Sequence, residues 1–206
     1  MPSRVVAEES RMAPKVREVC EEAERYLVVT DGTLTEKTYF EIVNRLARDV
    51  VLVKKVKHTK DLVSVAIAMR DAGNFDEVFI VCDVDEHCKN VTSRAAFEAL
   101  IDEAHKNGIM VLCSHECFEV WLLAHEQKVP SEAKDRRIAQ DLTEMAGMLT
   151  GNNAKLVVEK KITVKSIEAA SLEAKRLRRT YGEKVLDDGP ITNIDKLIDR
   201  ITWDSF

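Results

Sequence analysis

Apolar residues along this chain follow two rhythms. Short apolar runs over residues 27–30, 78–82 and 109–114 have the length and β-branched content of strands buried on both faces. Between them the apolar positions recur at helical spacing. Tyr39, Phe40, Val43 and Leu46 predict a helix over residues 36–48, with the Thr35 hydroxyl placed to cap it. Leu62, Val65, Ala66 and Met69 predict a second, ended by Gly73-Asn74. Ala96, Phe97, Leu100 and Ala104 predict a third over 93–107, and Phe118, Trp121, Leu122 and His125 a fourth over 116–125. Residues 50–57 alternate instead: Val51, Val53 and Val56 against Lys54, Lys55 and Lys57, the pattern of an edge strand with one wet face.

Strand and helix therefore alternate through the first 125 or so residues. That order implies an α/β fold of the Rossmann-like class, a mostly parallel sheet flanked by helices. After Val129-Pro130 the rhythm changes. Residues 131–186 are highly charged and read as helical, broken at Gly151-Asn152-Asn153, with a last helix expected over 193–201. The expected organisation is an N-terminal arm over 1–24 with a short helix over 15–24, an α/β core over 25–130, and a C-terminal helical appendage over 131–206 that packs on the core.

Two of the apolar strands end in carboxylates. The first runs into Asp31-Gly32, the second into Asp83-Val84-Asp85-Glu86. Ligands of open α/β sheets collect beyond the carboxyl ends of the strands. If the two strands are neighbours, Asp31, Asp83 and Asp85 converge there. Residues two apart on a strand point the same way, and two carboxylates aimed together repel unless a cation neutralises them. Hard oxygen donors suit Mg²⁺ or Mn²⁺. Taken singly, each motif has a plainer account: Asp-Gly is a common turn, Asp-x-Asp can be a solvated loop, and Glu116 or Glu119 at the mouth of a helix gains from its dipole.

Other chemistry is poorly supported. His87, Cys88, His115 and Cys117 do not have the spacing of a zinc knuckle. No nucleophile elbow or glycine-rich phosphate loop is present. Five scattered cysteines and a polar first segment without a signal-like apolar run predict free thiols and a cytoplasmic, non-membrane protein. The net charge of −5 argues against a broadly nucleic-acid-binding surface but not against a local basic patch. Two basic clusters are candidates, one around Lys54 and Lys57 and one around Arg176 and Arg179, each also readable as a solvated face.

The stretches YLVVTDGTLTEKTYF, VFIVCDVDEH, VLCSHECFEVWLLAH and GPITNIDKLIDRI together resemble RloB-like proteins over about residues 26–201. The Phe-Glu-x-Trp-Leu-Leu element is the most specific of them. Two positions depart from the family pattern: Asp31 stands where the first acid is usually Glu, and His115-Glu116 where Asn-Pro is usual. The resemblance implies a Toprim-related sheet in which such acids hold Mg²⁺ and serve phosphodiester cleavage. It also implies a setting in phage defence, with an AAA-type ATPase as possible partner. On this reading Asp83 and Asp85 ligate the metal and Asp31 acts as base or second-metal ligand. Glu119 is a further ligand or supporting acid. Lys54, Lys57, Arg176 and Arg179 steer a DNA or RNA backbone, and the chain is a candidate homo-oligomer. Two alternatives are a non-catalytic subunit of the ATPase and a nucleotide sensor using the same crevice.

Overall fold

A computed structural model describes residues 22–32, 34–84, 90–151, 155–183, 186 and 189–204. Four strands, β1 (Arg25–Thr30), β2 (Val50–Lys55), β3 (Glu77–Asp83) and β4 (Met110–Ser114), form one all-parallel sheet in the order β2-β1-β3-β4. They are joined by α1 (Thr35–Leu46), α2 (Leu62–Ala72, entered through a 3-10 turn at Thr59–Asp61) and α3 (Val91–Lys106). The expected α/β, Rossmann-like architecture is the one observed.

The two faces follow from strand alternation. Tyr26, Val28, Phe79, Val81 and Leu112 pack toward α1 and toward α4 (Glu119–Ala124). Leu27, Val29, Val78, Ile80 and Val111 pack toward α2 and α3. Both faces are covered, which is why the central strands are apolar without interruption. The chain leaves β1 for β2 on one side, then crosses to β3 on the other. That reversal opens a crevice between the carboxyl ends of β1 and β3, the topological switch point where open α/β sheets bind ligands.

Beyond residue 130 come α5 (Arg136–Met145), β5 (Leu149–Thr150), β6 (Leu156–Val157), α6 (Val164–Tyr181) and α7 (Asp195–Ile198). Their Ala139, Met148, Val157, Ile167, Leu177 and Leu197 share one apolar cluster with α1, α4 and the sheet. The outer edge of β4 is closed by an antiparallel bridge from Ser114 to Thr192, and the His115 N–H donates to the Ile191 carbonyl at 2.7 Å. The opposite edge, β2, keeps exposed lysines, a common protection for an unpaired strand.

Several expectations need correction. Residues 131–186 are not wholly helical: β5 and β6 pair antiparallel around the Gly151 break. The fourth helix starts at Glu119 rather than 116, and the last spans Asp195–Ile198 only. Thr35 is not a cap. It lies inside α1, and its hydroxyl donates to the Lys155 carbonyl at 3.2 Å, so tertiary contact displaces the local bond. Of the helix expected over 15–24, residues 15–21 lie outside the described residues. Residues 22–24 are exposed and not helical.

Candidate functional site

β1 and β3 are direct neighbours, with Thr30 opposite Val81, so the strand-end acids share one crevice. Asp31 follows β1, and its Oδ2 accepts from the Thr59 hydroxyl at 2.5 Å, tying it to the turn before α2. Asp83 ends β3 on the face toward α1 and α4. Its Oδ1 accepts from the Phe118 N–H at 2.8 Å, which ties it to the start of α4. Glu119 is the first residue of that helix, held from behind by the Thr143 hydroxyl donating to its carbonyl. Glu36 lies in the first turn of α1 and is buried, its carboxyl packed over Gly32. A Cβ at position 32 would stand 2.0 Å from that carboxyl carbon, so only glycine leaves Glu36 its place.

Four carboxylates thus act on one another. Burial pushes the Glu36 carboxyl up to about 7, and the charges of Glu119 and Asp31 add to the shift. Asp83 is also raised well above the ordinary carboxylate range, by burial first, then by Glu36, Glu119 and Asp31. One cation opposes both shifts: the Arg136 guanidinium at the start of α5, 3.8 Å from Asp83 Oδ2. Like charges gathered in a low-dielectric crevice are costly, and binding a cation there relieves that cost.

Sequence reasoning missed Glu36 and Arg136. Glu36 had a signal, because Thr35-Glu36 lies within the stretch that carries the family resemblance. Arg136 had none, since it sits in a run of mixed charge and reaches Asp83 only through the docking of α5. Asp85 lies outside the described residues, as do His87 and Cys88. Among the described residues, no three His, Cys, Asp or Glu side chains stand close enough to hold a metal ion as they are.

The two basic clusters fare differently. Lys54 is exposed at the carboxyl end of β2, opposite Val29, and Lys57 is exposed two residues before Thr59, the partner of Asp31. Both therefore stand at the end of the sheet from which Asp31 projects. Arg176 is instead committed to structure: it forks Glu173 at 2.6 and 2.7 Å and donates to the Val129 carbonyl at 3.2 Å. It lines a shallow depression beside His125 and Lys128. Arg179 is exposed on α6, its Nε donating to the Lys175 carbonyl.

The remaining titratable groups nearby are core residues. His125 is buried among Tyr39 and Trp121, with its Nδ1 3.2 Å from the Ser166 hydroxyl. Burial lowers its pKa to about 3, so the ring stays neutral. Burial also pushes the Cys117 thiol well up, leaving it a packed side chain rather than a thiolate. No described helix is long and apolar enough to cross a membrane.

A parallel α/β sheet with an acidic switch-point crevice, closed on one side by a short helix that starts at Glu119, defines the class of protein. The chain belongs to the RloB-like protein family, whose model matches residues 26–201. No curated protein and no solved structure matches it.

Proposed function

We propose that the chain is a divalent-metal-dependent phosphodiesterase of the Toprim type, acting on nucleic acid. The observation that carries this reading is the carboxylate group Asp31, Glu36, Asp83 and Glu119 at the β1/β3 switch point, with two of its members pushed up by burial and by one another. The donor set fits Mg²⁺ or Mn²⁺, since both prefer oxygen ligands, and Mg²⁺ needs only one or two carboxylates while keeping several waters. Asp83, together with Asp85 two residues on in the sequence, would hold the ion, and Glu36 and Glu119 would support it. The bound ion supplies polarisation of the phosphoryl oxygen and a more acidic water.

The chain's own residues supply the rest. Glu36, poised near neutrality, can take or return a proton at its carboxylate. Asp31, oriented by Thr59, is the second acid facing the crevice. Lys54 and Lys57 draw the phosphate backbone toward the mouth. A role in phage defence, in the cytoplasm and beside an AAA-type ATPase, is the setting that the resemblance implies.

The test is cleavage of labelled DNA and RNA in Mg²⁺ or Mn²⁺, with Asp83→Asn as control. We expect metal-dependent cleavage that falls about 10²-fold or more in the variant. Equal cleavage by both proteins, or none with any metal and substrate, would sink the proposal.

A further inference from the structure

β4 is the last strand of the sheet, and only part of its outer edge is closed. Backbone groups alternate between the two sides of a strand. The Val84 N–H donates to the Ser114 carbonyl, so residues 110, 112 and 114 bond toward β3, and residues 111, 113 and 115 face outward. Cys113 is taken twice. Its N–H donates to the Asn193 side-chain oxygen at 2.7 Å, and its carbonyl accepts from the Asn193 N–H at 3.2 Å. The His115 N–H is taken by Ile191. Val111 is the exception: among the described residues, none pairs with its outward N–H and carbonyl. Yet the residue is only 6% exposed. Buried backbone groups nearly always have a partner, so this edge is one that a ligand can complete.

The same edge opens on a cavity of about 430 Å³, a size ordinary for small-molecule sites. Ile101 and His105 of α3 line it on one side and Asn193 and Lys196 on the other, with Val111 and Cys113 between them. Two charges at its rim are already matched: Arg94 contacts Glu98 at 3.2 Å, and Glu183 lies 3.6 Å from Arg178. Lys196 is exposed, and its ammonium has no ion pair among the described residues. The cavity thus combines an apolar slot, an N–H beside a carbonyl, and an uncommitted cation.

An added peptide strand suits this edge badly, because Cys113 and His115 are taken and one residue alone is left to pair. A flat ring with a nitrogen acceptor next to an amino group suits it well. The ring nitrogen accepts from the Val111 N–H while the amino group donates to the Val111 carbonyl. Adenine presents that acceptor and donor side by side. We propose that this cavity binds an adenine nucleotide, with the base edge on Val111, a ring face against Ile101 and the phosphate at Lys196. The site lies on the outer side of β4, apart from the β1/β3 crevice, and does not depend on the reading of that crevice.

The experiment is calorimetry of the full chain in EDTA, which removes divalent ions from any acidic site, with AMP as the probe. Adenosine, inorganic phosphate and the AMP analogue with both amino hydrogens replaced by methyl are the comparison ligands. We expect AMP to bind and the dimethyl analogue to bind about tenfold more weakly or worse, because it leaves the Val111 carbonyl unpaired. Adenosine should bind about tenfold more weakly than AMP, and phosphate alone not at all. Lys196→Ala should bring AMP to the level of adenosine and leave adenosine unchanged. Ile101→Trp, which fills the slot, should abolish binding at an unchanged melting temperature. Asp83→Asn should bind AMP as the native chain does. No binding of AMP by the native chain overturns the inference, as does equal affinity for AMP and its dimethyl analogue. Native AMP affinity in both Lys196→Ala and Ile101→Trp overturns it too. Binding lost in Asp83→Asn places the nucleotide in the acidic crevice instead, and that also overturns it.

Discussion

The two ends of the α5–α7 region treat charge in opposite ways. Behind β4, Arg178 forks Asp195 and also lies 3.6 Å from Glu183, and the neighbouring Thr192 hydroxyl is 2.8 Å from that of Ser114. At the β1/β3 mouth, four acids act on one another, two of them pushed up by burial, with the Arg136 guanidinium 3.8 Å from Asp83. Buried charge that is paired inside the chain serves the fold. Buried charge left in excess raises the free energy of the folded chain, and it persists where an outside cation can bind. The difference separates a structural cluster from a candidate site without reference to any motif.

The largest expected effect breaks the structural end. Arg178→Ala leaves Asp195 buried and unmatched, and should lower stability by about 3–5 kcal/mol in urea melts. The double change Arg178→Met with Asp195→Leu should lose far less, because it removes both charges. A double variant as unstable as the single one would show that the pair contributes more than mutual neutralisation.

At the mouth the sign reverses. The Glu36 pKa of about 7 lies above its ordinary 4.5, so as pH rises the unfolded chain releases this proton first. The folded state is therefore penalised progressively across that window, by up to about 3 kcal/mol above it. Glu36→Gln should stabilise the metal-free chain by up to about that amount at pH 8 and by little near pH 4.5. It should also weaken Mn²⁺ binding. Thermal melts at the two pH values, with and without Mn²⁺, check both halves. Equal melting of the two proteins at pH 8 would contradict the burial of an excess charge.

The smallest effect tests the spacing within the cluster. Gly32→Ala sets a methyl where the Glu36 carboxyl packs. Stability should change by only about 1 kcal/mol, since a flexible side-chain end can move aside. Mn²⁺ affinity should fall about tenfold in calorimetry as Glu36 leaves its place. Unchanged affinity would remove Glu36 from the ion's surroundings.

How much of this was readable in advance depended on range. The parallel sheet followed from uninterrupted apolar strands, and the meeting of Asp31 with Asp83 from their position at strand ends. Glu36 was harder because its place depends on a close approach to Gly32, which looked like an ordinary turn glycine. The contact of Arg136 with Asp83 spans more than 50 residues and carries no local pattern. Arg176 misled for the converse reason: a basic run on a helix does not reveal that one member is already spent on Glu173 and the Val129 carbonyl.

Tyr39 on α1 meets Phe118, Trp121 and His125 edge to face, with ring centres 5.5, 6.2 and 5.5 Å apart. Glu36 lies one helical turn before Tyr39, and Glu119 immediately after Phe118. The gap between these two acids is therefore gauged by the thickness of aromatic rings rather than by the acids themselves. If the crevice holds an ion as proposed, descendants of this fold could change which ion they favour while every carboxylate stays in the sequence: they need only repack the rings.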